Sequence, residues 1–161
     1  NAVSLIADRS SPSELFASGK LLGRPSAGRM SMFFYDPKFK QRLPYYDTFP
    51  LVLPLEPMKG GFIGLNFHYL PYGARFAFLQ QLQKYSSNAK FDQSTKIQAT
   101  YDQVKSNKYV KASIKRYLYS HVRSQFLRVN VNEMALAAYL PVAQFQGASL
   151  GTVFAKSRRT Y

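Results

Sequence analysis

The sequence predicts an α+β protein: a small antiparallel sheet or SH3-like barrel with an inserted helical section and extended N- and C-terminal arms. Three observations lead there. Apolar and aromatic residues between 30 and 70 come in short runs broken by proline and glycine, the punctuation of strands and turns. Between 71 and 128 the apolar residues shift to helical spacing. Glycine, proline and basic residues gather in 19–29, and basic residues return at the end of the chain. The length of 161 residues suits one domain with a core plus tails, and an apolar content of 46% argues against wholesale disorder. The expected layout is an arm over 1–29, a single domain over 30–145 and a basic tail over 146–161.

Within the N-terminal arm, Ser11, Pro12 and Glu14 fit the N-cap, N1 and N3 positions of a short helix, and Gly19 fits its stop. The following GKLLGRPSAGR reads as an extended basic connector. Met30 to Tyr35 (MSMFFY) is the first expected strand. Phe49 to Leu55 is the second, and its prolines, Pro50 and Pro54, call for an edge position or a bulge. Pro57 to Gly61 (PMKGG) reads as a hairpin turn, returning into a third strand, Phe62 to Tyr69. Alternation puts Phe62, Gly64, Asn66 and His68 on one face of that strand. Ile63, Leu65, Phe67 and Tyr69 line the other, the better core face.

Pro71 opens a helix whose apolar stripe is Phe76, Leu79, Leu82 and Tyr85, ended by Ser86, Ser87 and Asn88. Ile97, Tyr101 and Val104 suggest a second helix. Ile114, Tyr117, Leu118, Val122 and Phe126 suggest a third. Residues 134–141 (MALAAYLP) suit a buried strand ended by Pro141 or a short helix capped by Asn130 and Glu133; the strand is favoured.

The inventory of reactive residues is thin. The chain has no cysteine, so it has neither disulfides nor a thiolate metal site. His68 and His121 lie far apart, without neighbours at metal-ligand spacing. The eight acids are scattered, whereas a metal-dependent nuclease needs two or three that converge. Asp36, before Pro37, suits a turn, and Asp47 suits a cap or a pair with a neighbouring base. GKLLGR and KGGFIG lack the phosphate-loop pattern, and no nucleophile elbow occurs. No enzyme, cofactor, metal or small-molecule substrate is expected. Residues 1–11 lack the basic start and long apolar middle of a signal peptide, and no apolar run is long enough to span a bilayer, so membrane insertion is not expected.

Charge is the stronger signal. The formal net charge is +14, which points to an anionic partner. Between Asp102 and Glu133 there is no acid, while Lys105, Lys108, Lys111, Lys115, Arg116, Arg123 and Arg128 all fall there. On a helix, Lys108, Lys111, Lys115 and Arg123 would form one cationic stripe, interleaved with Tyr109, Tyr117 and Tyr119. That pattern suits phosphate contacts with aromatic support, and an acidic protein surface would serve as well. A second cluster is RLPYYDTFPLVLPL, residues 42–55. Its prolines restrict the chain, and Tyr45, Tyr46 and Phe49 suit either anchors of the kind found at protein interfaces or a wrap around the protein's own core, and both if one face packs inward.

Three strings carry a resemblance: LPYYDTFPLV (43–52), GFIGLNFHYLP (61–71) and IKRYLYSHVRS (114–124). Together they resemble small proteins of contractile-tailed bacteriophages, of the T-even-like and marine kinds, over roughly residues 30–145. The resemblance implies a late, virion-associated protein and supplies no catalytic residue. On it rests the first expectation: a structural component of the tail baseplate or neck. This component would be fixed among other virion proteins in a symmetric assembly, with Arg24, Arg29, Tyr45, Tyr46 and Phe49 docking. The alternative is a DNA-binding virion protein whose Lys108, Lys111, Lys115, Arg116, Arg123 and Arg128 contact the phosphates of the packaged genome or its ends. Both place the protein in the virion.

Overall fold

The computed structural model describes residues 21–25, 29–86, 111–129, 137–138 and 143–159, with the last turns of both helices as backbone only. The strands are β1 (Leu21–Leu22), β2 (Ser31–Met32), β3 (Tyr46–Asp47), β4 (Leu51–Met58), β5 (Gly61–Asn66), β6 (Ile114–Leu118), β7 (Phe126–Arg128) and β8 (Phe145–Gln146). The helices are α1 (Tyr72–Ser86) and α2 (Leu150–Arg159). Six strands form one sheet in the order β1-β7-β2-β4-β5-β6, and β3 pairs with β8 in a separate two-stranded ladder. Every pairing is antiparallel. The fold is α+β, built on a small antiparallel sheet.

The β4–β5 hairpin is the centre of the sheet. Met58 pairs with Gly61, leaving Lys59 and Gly60 as a two-residue turn. Gly60 has φ +77°, a left-handed conformation that favours glycine. The register shifts between Pro54 and Glu56, which is the bulge that a proline inside a strand demands. On its other side β4 pairs with β2 only at Leu51 and Val52, so Pro54 interrupts no ladder there.

Both faces of the sheet are covered. Met30, Met32, Leu51, Leu53, Leu65 and Leu127 belong to one cluster, sealed by Phe67, Phe78 and Leu79. Phe33, Tyr35, Val52, Phe62, Tyr117 and Phe126 form a second, mostly aromatic cluster. Phe33 sits at its centre, with edge contacts to Tyr35, Phe62 and Tyr117. Leu65 thus faces the core as expected, but Phe62 is buried too, on the opposite side. Gly64 lies on that second face, where a Cβ would run into the Val52 side chain.

Four expectations change. The expected third helix is absent: Ile114 to Leu118 is β6, paired with β5, and Phe126 belongs to β7. The third strand stops at Asn66, whose side chain caps a 3-10 turn over Phe67–Tyr69 by accepting the His68 amide. In α1, Phe76 is exposed, whereas Arg75, Phe78 and Leu79 face inward, so the buried face is rotated from the expected stripe. Of 134–141 only Ala137 and Ala138 are described. They have helical backbone, in keeping with alanine's high helix propensity, not the favoured strand.

Two stretches expected as arms contribute elements. Leu21 and Leu22 pair with Leu127 and Phe126. Residues 146–159 include the second residue of β8 and the whole of α2, capped where the Thr152 amide donates to Ser149 Oγ at 3.2 Å. The helices expected near Ser11 and near Tyr101 lie outside the described residues.

Candidate nucleic-acid interface

A basic, partly aromatic surface forms where residues 33–43 meet residues 119–124. Two antiparallel stretches are stitched together there. Tyr35 bridges Val122. The Asp36 amide donates to His121 O at 3.0 Å, and the Arg123 amide donates to Phe34 O at 2.9 Å. Ser124 Oγ accepts the Phe34 amide at 2.9 Å, and His121 Nδ1 donates to Asp36 O at 2.9 Å. Beyond this zipper the chain turns through a short 3-10 helix, Lys40–Arg42, with the Arg42 amide donating to Phe39 O at 2.9 Å.

The turn presents cations. Lys38, Lys40 and Arg42 lie on it, and Arg123 stands beside it on the partner stretch. Asp36 is the single acid in 36–43 and 119–125. Lys40 Nζ lies 2.8 Å from Asp36 Oδ1, and Arg123 Nη2 lies 3.7 Å from Asp36 Oδ2. The hydrogen bond from Lys40 holds the Asp36 carboxyl below its ordinary value, and the same bond raises the Lys40 ammonium. Asp36 is therefore an anion tied to two cations, and the surface keeps a clear positive excess. Arg24 extends it, its guanidinium 4.8 Å from the centroid of Tyr119. At the tip, Phe39 is 55% exposed, with Lys38 Nζ 5.2 Å and Arg42 Cζ 5.6 Å from its ring centroid.

A buried polar network anchors the other end of this segment. Asp47 Oδ1 accepts the amides of Phe49 and Gln144, and Oδ2 accepts Asn66 Nδ2 at 3.0 Å and His68 Nδ1 at 2.7 Å. A carboxylate only accepts, so Nδ1 carries the proton. Burial alone would raise the Asp47 carboxyl, but the charge and hydrogen bond of His68, with help from Asn66 and Phe49, hold it below its ordinary value. His68 O in turn accepts Arg75 Nη2 at 3.2 Å, while Arg75 Nε and Nη1 donate to Leu70 O and Ala138 O at 2.7 and 2.6 Å. Arg75 is 1% exposed and serves as an internal tie. Asp36 and Asp47 thus belong to different networks, one at the surface and one in the core.

The expected site residues scatter over the molecule. Because β6 is a strand, Lys115 and Arg116 point to opposite faces, Lys111 lies in the preceding 3-10 turn and Arg123 in the loop beyond, so the helical stripe does not form. Lys115 lies with its ammonium 4.3 Å from the Tyr69 ring centroid, and burial lowers its pKa. Arg128, on β7, is half-buried. Lys108 lies outside the described residues. Of the proposed docking anchors, Phe49 is fully buried and is a core residue. Tyr45 is half-buried against Tyr69 and Phe145, and Tyr46 is half-buried on β3. Arg29 is exposed just before β2. Of the expected residues, Arg123 joins the basic turn through Asp36, and Arg24 lies against Tyr119 on the same adjoining stretch. The missed residues are Lys38, Phe39, Lys40 and Arg42. Their signal was the run KFKQR, a phenylalanine between lysines just after the Asp36-Pro37 turn.

No group of three His, Asp or Glu side chains among the described residues converges to hold a metal, and no helix there is long and apolar enough to cross a membrane. No curated protein and no solved structure matches the chain. A family model described as "Phage T4 terminal DNA protecting protein" matches residues 16–159. That span takes in every strand and both helices described above, so the chain belongs to the family of the phage T4 terminal DNA protecting protein.

Proposed function

We propose that this virion-associated protein binds the ends of duplex DNA, with Arg24, Lys38, Lys40, Arg42 and Arg123 contacting phosphates. The carrying observation is that Lys40 and Arg123 both reach Asp36, at the base of a turn whose Lys38 and Arg42 flank the Phe39 ring, with Arg24 against Tyr119 on the adjoining stretch. Phosphate neutralisation by such a cluster supplies most of the affinity in non-specific DNA binding. The description of the family, which names terminal DNA, supports this reading. It lends no support to a place in the tail baseplate or neck. Occupying the end, rather than cutting it, is the reading supported by Asp36 being engaged by Lys40 and Arg123 and Asp47 by four donors in the core.

Salt-dependent binding tests the proposal. A labelled linear duplex should bind the full chain with a steep log–log loss of affinity as salt rises, and stay intact with magnesium present. Each phosphate contact contributes about 0.9 to that slope. The triple variant Lys38→Gln/Arg42→Gln/Arg123→Gln should therefore bind more weakly, with the slope shallower by about 2 to 3. An unchanged slope in the variant, or no binding near physiological salt, overturns the reading.

A further inference from the structure

We infer that Phe39 is the part of the surface that distinguishes a DNA end from DNA interior, by stacking on the exposed face of the terminal base pair. The inference rests on the DNA-binding reading above and goes further, since phosphate contacts alone cannot recognise an end. Phosphates run along the whole duplex, and cations satisfied by them bind ends and interior alike. What only an end offers is the bare face of its last base pair. The group that complements it is a flat aromatic ring, held clear of its own core and flanked by positive charge.

Phe39 meets each condition. The large aromatics of the two core clusters are buried, but this ring is 55% exposed even with two cations beside it. It is held out by ordered backbone, not left on a loose tail. Phe39 caps the 3-10 helix Lys40–Arg42, and residues 34–36 behind it are bonded to residues 121–124. In a 3-10 turn, residues three apart lie on the same side, which puts Arg42 with Phe39. Lys38 and Arg42 have long, exposed side chains that reach strand-end phosphates while the ring stacks. The nearby carboxylate does not repel the phosphates, because Asp36 is already paired with Lys40 and Arg123. Leu43, 43% exposed, adds apolar surface next to the same turn. A purely hydrophobic protein partner would gain nothing from the two flanking cations, and duplex DNA would.

The test compares a blunt linear duplex with a dumbbell of the same sequence whose two ends are closed by hairpin loops. The full chain should prefer the open-ended duplex by about tenfold, the scale of one base–aromatic stack. Phe39→Ala should lose that preference while keeping its salt-dependent binding to the dumbbell. Phe39→Leu, apolar but without a π face, should behave like Phe39→Ala. Phe39→Trp should keep the preference. The chain has no tryptophan, so this variant carries a unique fluorophore, whose emission should be quenched by the open-ended duplex and not by the dumbbell. Equal binding of both DNAs by the unmodified chain, or an end preference that survives Phe39→Ala, overturns the inference while leaving DNA binding in place. Failure to bind either DNA removes the DNA-binding reading itself, and the inference with it.

Discussion

Asp47 gathers four donors on two oxygens, and the positions of those donors define what the residue does. Phe49 is two residues away, Asn66 and His68 come from across the hairpin, and Gln144 comes from the far end of the sequence. One carboxylate therefore joins β3, the end of β5 and the stretch before β8. Leaving a buried donor without its acceptor typically costs about 1–3 kcal/mol, and more where the lost acceptor was charged. Asp47→Asn should fall in that range in urea denaturation at neutral pH, because its amide group turns a donor toward donors. The pH dependence has a definite sign. The folded carboxyl titrates below its ordinary 3.8, so the Asp47 contribution is complete above that value and drains away as pH falls through the folded pKa. Stability measured between about pH 5 and pH 3 should drop more steeply in the parent than in Asp47→Asn. The sequence suggested that Asp47 pairs with a nearby base. It gave no sign that the partner would be His68, because that meeting depends on how β3 lies against the end of β5. Arg75 was harder still, since an arginine on an amphipathic helix normally faces water.

The hairpin and β6 show where element-level reading succeeds and fails. PMKGG carried its own turn chemistry, and the proline at 54 announced a bulge; both are local effects, and both are present. Ile114, Tyr117, Leu118 and Val122 satisfy helical spacing, yet they are also β-branched, aromatic or large, which suits a strand. The available edge of β5 decides between the two, and an edge is a property of the sheet, invisible in the segment. The candidate site moved with that element. Its basic character was legible in composition, but its location was not, because a strand disperses side chains that a helix would have aligned. A measurable consequence separates the two arrangements. Lys115→Gln should leave the salt slope for DNA unchanged, since its ammonium rests on Tyr69, whereas Arg123→Gln alone should lower the slope by about 1.

At the scale of the molecule, a sheet buried on both faces leaves its ends and connecting loops for function, and one corner holds the basic turn with Phe39. The α+β class was readable from the change of period near residue 70. The two-sided core was not, because Phe62 and Leu65 both qualify as core and one strand cannot say that both faces are covered. The net charge of +14 has two effects that respond to salt in opposite directions. Self-repulsion destabilises the compact chain and is screened as salt rises, while attraction to DNA is weakened by the same ions. Raising salt from about 20 to 200 mM should therefore raise the melting temperature of the free protein and lower its affinity for a linear duplex. A melting temperature that falls over that range would show that the cations stabilise the fold by pairing within it.

The reach of the Asp47 carboxylate to the Gln144 amide also sets an order of events during synthesis. Asp47, Asn66 and His68 leave the ribosome early, but the last donor follows 97 residues after the carboxylate. Until then β3 has no β8 to pair with, and this end of the segment leading to the basic turn is held by the Asp47 bonds to Asn66 and His68 and by the Tyr35 amide donating to Thr48 O. A chain ending before residue 140 would carry the bonds between 34–36 and 121–124 that hold the basic turn, but not the β3–β8 ladder or the Gln144 bond at the far end of that segment. The ladder that closes the Asp47 end is thus the last of these contacts to become available, and pairings so distant in sequence belong to slowly folding topologies.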